Sequence, residues 1–132
     1  MADDTLQPDY TQLEQLSGQI QLLYSTNLGH QPQQVECKLL EHTLIISVED
    51  SLTQPEQILV ENNHYELAKQ VRTRIHEAIE PQLQKLISQA LGVPVLDLLI
   101  DSTLDTSRTN IVAILADDSP VLIETKLVNG EK

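Results

Sequence analysis

The sequence predicts an α+β domain in which two β-hairpins form one sheet that packs against a long, proline-kinked helix. Two patterns predict this fold. Apolar residues recur every three or four positions in some segments, as in helices, and alternate with polar residues in others, as in strands. The predicted order is α-β-β-α-α-β-β, with helices packed on one face of an antiparallel or mixed sheet.

The first helix is predicted over residues 10–28. Thr11 and Glu14 have the spacing of a capping box, and the leucines and isoleucine that follow keep a helical spacing. Gly29 is a helix stop, and Pro32 follows it closely. The helix is therefore expected to end near residue 28.

A β-hairpin is predicted next, because apolar and polar residues alternate over residues 35–39 and again over 44–48. Glu41 and His42 lie between the two runs and are not a preferred pair for a tight turn. We therefore expect a longer or bulged loop between these strands.

The central part of the chain predicts a short helix and then a long one. Thr53 and Glu56 form a second capping box, which starts a short helix that runs to about Val60. The long helix then continues until Gly92. Pro81 lies inside it and removes one helical hydrogen bond, so we predict a kink, or two helices that meet near Pro81.

The last third predicts a second hairpin, with strands over residues 93–100 and 111–115 and a polar loop over residues 101–109. Residues 117–132 are expected to be a tail or a short edge strand. Residues 1–9 are expected to be a flexible tail, which leaves residues 10–116 as a single domain.

The charge balance excludes several classes of partner. The chain has 20 Asp and Glu against 8 Lys and Arg, a net charge of −12. Such a surface repels nucleic-acid phosphates and anionic lipid headgroups. No apolar run is long enough to span a bilayer, and the sequence lacks a signal peptide, so we expect a cytoplasmic protein that reaches a membrane only through a partner.

No motif of an enzyme or a cofactor site is present in the sequence. It lacks a G-x-S-x-G nucleophile motif, a phosphate-binding glycine loop and a dinucleotide fingerprint. We therefore predict a protein that is not an enzyme, with no cofactor and no metal site.

Three residues are the candidates for ligand binding. His76 and Glu80 lie four residues apart on the long helix, but two ligands fall short of the three or four that zinc needs, and a solvated ion pair explains them as well. Arg108 lies between two hydroxyl-bearing residues of the predicted loop, where it would clamp a small anion or be a solvated loop arginine.

Small aliphatic residues on the long helix approximate a heptad seam, formed by Ala68, Val71, Ile75 and Ala78. Such a seam suits the packing of the helix on the sheet, and it equally suits a homodimer in which two copies of the helix meet. The seam is the candidate surface for self-association.

The chain resembles the MpsC-like domain family over about residues 12–116. The resemblance lies in the segments 52–56, 78–83 and 92–95, which read LTQPE, AIEPQL and GVPV. The family is named for a sodium-translocating, membrane-potential-generating system, and the resemblance implies a soluble companion of membrane subunits. It carries over no catalytic residue.

The leading hypothesis is thus a non-enzymatic cytosolic accessory or regulatory module. It is expected to form a homodimer and to bind a protein partner, such as a membrane transport subunit for ions or inorganic carbon. The alternative is a domain that binds a small anion or a metal, with or without hydrolytic activity.

Overall fold

The computed structural model describes residues 10–116, which have the predicted order of elements. The predicted α+β class is confirmed, whereas the predictions for residues 1–9 and 117–132 lie outside the described part. The elements are α1 (Tyr10–Leu28), β1 (Gln34–Leu40), β2 (Thr43–Glu49), α2 (Gln54–Glu61), α3 (Tyr65–Leu91), β3 (Val95–Thr103) and β4 (Arg108–Leu115).

The four strands form one antiparallel sheet in the order β1-β2-β4-β3. Each hairpin supplies one edge strand and one central strand, and the hairpins join where β2 pairs with β4, with Ile46 opposite Ile111. The helices pack on one side of the sheet: α1 contacts β1 and α3, and α3 contacts β3. The domain therefore has two layers, and one sheet face lies outside the helical layer.

The core lies between the sheet and the two long helices. Because side chains alternate between the faces of a strand, every second residue of β2 and β4 is buried. The chain has no Phe or Trp, so aliphatic side chains fill most of this space. The fully buried large side chains of this cluster are Leu16, Ile20, Tyr24, Leu44, Ile46, Val48, Ile79, Leu83, Ile87 and Ile111.

Two predicted loops are longer than those in the structure. Leu40 pairs with Thr43, so only Glu41 and His42 form the first turn, and Glu41 adopts a φ of +55°. The predicted loop over 101–109 is also wrong, because β3 runs to Thr103 and β4 starts at Arg108. Polar residues with high strand propensity continue the pairing there, and cross-strand register outweighs local turn preference in both hairpins.

The helix ends follow the predicted signals more closely. Gly29 and Gly92 have φ of +66° and +74° and follow α1 and α3, as predicted from their positions. Thr11 lies inside α1, so it is not the N-cap that its spacing with Glu14 suggested.

Pro81 lies within an uninterrupted α3, and the prediction of two separate helices is wrong. A proline removes one N–H donor, and the loss falls here on an exposed side of the helix. Ile79, Leu83 and Ile87 are buried on both sides of the proline and keep the helix docked on the core. The kink itself stays a prediction.

Candidate functional site

A buried ion pair between α2 and α3 organises the polar part of the domain. Glu56 is fully buried and Arg72 is 3% exposed. The Arg72 Nε donates to Glu56 Oε2 at 2.6 Å, and its Nη2 donates to the Ser51 carbonyl oxygen at 3.0 Å, just after β2. The Thr53 N–H donates to Glu56 Oε1 at 2.9 Å, which confirms this half of the predicted capping box.

Sequence reasoning missed the role of Arg72 because it treated the arginine as part of a scattered basic cluster. The spacing contained the signal: Arg72 lies four residues after Ala68 and seven before Ile79, on the stripe that α3 buries. A charged residue on an apolar stripe requires a partner, and Glu56 is the capping residue that supplies it.

A chain of hydroxyl groups continues this polar region toward the sheet. The Thr109 hydroxyl lies 2.7 Å from the Ser51 hydroxyl and 2.6 Å from the Ser102 hydroxyl. His76 Nε2 lies 2.9 Å from the Ser102 Oγ. Burial, together with the positive charge of Arg72, lowers the pKa of His76 to about 4. A neutral imidazole with so low a pKa is a weak general base, so this pair lacks an activated serine.

The structure does not bring the three candidate ligand residues together. His76 faces Ser102 on the helical side of the sheet, whereas Arg108 lies in β4 and donates to Glu49 Oε1 at 2.9 Å. Glu80 is half-buried one turn after His76. Within residues 10–116, no group of three His, Cys, Asp or Glu side chains is arranged to hold a metal ion.

The sheet face that points away from the helices has a polar half and an apolar half. In the polar half, two cross-strand pairs between β2 and β4 satisfy each other. Glu49 accepts from Arg108, and the Ser47 hydroxyl donates to Asn110 Oδ1 at 2.9 Å. This half of the face is therefore already occupied with contacts inside the chain.

The other half of the outer face is the apolar patch, which we define as Leu40, Ile45, Leu99, Val112 and Ile114. Ile45 pairs with Val112, and Val112 pairs with Leu99, so the three form one row across the sheet. Leu40 is 64% exposed and Leu99 is 63% exposed. The described residues leave this patch uncovered, and contiguous exposed apolar surface marks interaction sites.

Charged side chains surround the apolar patch. Lys38 continues its central row on β1, and Glu36, Asp97 and Asp101 lie on the same outer face of the two edge strands. All four are exposed. Acidic groups thus outnumber basic ones around the patch, in line with the net charge of −12.

The residues of the predicted helical seam differ in exposure. Ala68 is fully buried, Val71 and Ile75 are half-buried, and Ala78 is exposed. Ala68 contributes to the packing of the domain itself. The surface that α3 offers to a second copy is therefore shorter than the predicted seam.

Comparison with known families gives one match. The family model described as Na+-translocating membrane potential-generating system (MpsC) matches residues 11–117, which agrees with the resemblance found from the sequence. Neither the comparison with curated proteins nor that with solved structures finds a significant match. No helix within residues 10–116 has both the length and the apolar composition needed to cross a bilayer.

The buried ion pair predicts a large loss of stability when one partner is removed. Arg72→Met leaves the Glu56 carboxylate buried without its cation, so we expect the free energy of unfolding to fall by about 3–5 kcal/mol in urea denaturation. Arg74→Met is the matched control, because the exposed Arg74 pairs only with Glu77 at 3.2 Å. It should change stability by no more than about 0.5 kcal/mol. Equal losses in both variants would contradict the role given to Arg72.

The low pKa of His76 predicts a pH dependence of stability. In the unfolded chain a histidine has a pKa near 6.5, whereas burial holds that of His76 at about 4 in the folded state. Between these values the unfolded chain binds more protons, so stability falls as the pH drops from about 6.5 to about 4. His76→Gln should reduce this slope when urea denaturation is repeated across that range. An unchanged slope would show that His76 does not titrate as stated.

Proposed function

Since this chain belongs to the MpsC family, we propose that it is a non-enzymatic, cytosolic accessory module that binds a protein partner in a membrane ion-translocating system. The observation that carries the proposal is the apolar patch on the outer sheet face. Its exposed leucines give a partner apolar area to bury, and burial of one such side chain contributes about 1.5–3 kcal/mol. The family description supplies the kind of system, and the patch supplies the surface.

The charges around the patch favour a basic partner. Glu36, Asp97 and Asp101 outnumber Lys38 on this face, and the whole chain carries a net charge of −12. Complementary charge speeds association and selects against other acidic surfaces. Short cytoplasmic loops of membrane proteins are rich in Lys and Arg, so a basic, partly apolar loop of this kind has the required chemistry.

Self-association is the second part of the proposal. The residues of the predicted seam that reach the surface are Val71, Ile75 and Ala78, on the side of α3 that is not fully buried. These small side chains allow two helices to approach closely. A homodimer built on α3 would leave the apolar patch accessible on each copy, because the patch lies on the opposite layer of the domain.

Site-specific photo-crosslinking in cells tests the docking surface. A photo-crosslinking amino acid is placed at Leu99 in the patch or at Leu22, an α1 leucine that is 64% exposed. We expect the probe at Leu99, and not that at Leu22, to capture a basic cytosolic segment of an integral membrane protein, with a yield that falls as ionic strength rises. Equal capture at both positions, or capture at Leu99 of a second copy alone, would contradict the proposed partner.

Light scattering on the purified chain tests self-association. We expect a homodimer, and we expect Ala78→Glu to give a monomer because it places a charge between the two helices. Gln70→Glu adds the same charge at another exposed position of α3 and should leave the dimer intact. A wild-type chain that stays monomeric at every concentration would remove this part of the proposal.

A further inference from the structure

A groove lies between α3 and β3 on the helical side of the sheet, away from the apolar patch. Tyr65, Lys69, Arg72 and His76 of α3 line one wall, and β3 with the loop that follows it lines the other. Its volume is about 660 Å³. Pockets for small molecules commonly have volumes of roughly 300–1,000 Å³, so the groove is large enough for an organic ligand.

The buried guanidinium beside this groove has unused hydrogen-bond donors. Nε and Nη2 of Arg72 are held by Glu56 and by the Ser51 carbonyl, whereas Nη1 is buried without a hydrogen-bond partner among the described residues. An unsatisfied buried polar group costs about 1–3 kcal/mol, so a bound acceptor at Nη1 would recover that cost. A guanidinium only donates, and its ligand must therefore present an acceptor.

The Tyr24 hydroxyl adds a second unsatisfied group to the same region. It is buried and has no hydrogen-bond partner among the described residues. Burial raises the pKa of Tyr24, and the neighbouring Arg72 and Thr109 offset part of that rise. A neutral hydroxyl remains available as a donor, so two donors from different helices stand without acceptors next to each other.

The acidic groups around the groove already have donors of their own. Asp105 Oδ1 accepts from the Tyr65 hydroxyl at 2.6 Å, Asp101 Oδ1 accepts from the Ser102 N–H at 2.9 Å, and Glu56 is held by Arg72. Lys69 lies one turn before Arg72 on α3, and its only ion pair among the described residues is a long one of 3.8 Å to the exposed Glu66. The unused capacity of the groove is therefore donor capacity, in part cationic.

We propose that this groove binds the oxyanion group of a small organic molecule, a carboxylate or a phosphate, with Arg72 Nη1 and Lys69 as its charged donors. Charge-assisted hydrogen bonds of this kind are the strongest that proteins use for such groups. Nη1 is shielded from solvent, so binding includes a side-chain movement in the wall of the groove. Exposed Lys69 and Thr73 line that wall. The proposal does not depend on the apolar patch.

Nuclear magnetic resonance titration of the full chain tests this site with two simple probes. Inorganic phosphate and acetate are added separately, and sodium chloride at matched ionic strength gives the baseline. We expect saturable shifts of the backbone amides of residues 69–76 and 102–105 with one of the two probes, and the stronger probe assigns the group as phosphate or carboxylate. Shifts that grow without saturation, or that chloride reproduces, would overturn the proposal.

Two lysine variants separate a built site from general attraction of anions. Lys69→Gln removes a donor from the groove and should weaken probe binding by about tenfold or more. Lys85→Gln removes the same charge from an exposed position of α3 that does not line the groove, and it should leave the affinity unchanged. Both positions are exposed, so both variants are expected to fold. Equal affinities in the two variants would overturn the assignment of Lys69 and with it the proposed site.

Discussion

The Glu56–Arg72 ion pair is the interaction on which the rest of the domain depends. It joins the start of α2, the middle of α3 and the end of β2, so it fixes how the connection between the hairpins crosses the sheet. A buried ion pair gains little net stability over apolar packing, but it tolerates no loss of one partner. Its contribution is therefore mainly to the arrangement of these three elements.

The sequence predicted the elements well because each depends on local chemistry. Hydrophobic periodicity and capping residues placed both hairpins and all three helices, and Gly29 and Gly92 marked the ends of α1 and α3. The loops were predicted too long because strand register is decided by residues on the partner strand. Pro81 was given too much weight, because burial on both sides of a proline outweighs one missing hydrogen bond.

The candidate sites were less accessible to sequence reasoning, for a physical reason. Arg108 and His76 had plausible local settings, but the sheet separates them, and Arg108 is held by a strand neighbour from the other hairpin. The apolar patch depends on which strands pair, since its residues come from all four strands. Neither arrangement follows from the spacing of residues along one segment. By contrast, the buried position of Arg72 was readable from the helical stripe.

Pro81 divides α3 by chemistry as well as by hydrogen bonding. The polar contacts of the helix, those of Arg72 and His76, come before the proline, whereas Leu83 and Ile87 after it belong to the aliphatic core. The proline cannot donate a hydrogen bond to the Glu77 carbonyl, so the two parts are coupled less tightly than in an unbroken helix. A change at the polar end can thus be absorbed at this joint, and the aliphatic end can serve as the fixed frame against which it moves.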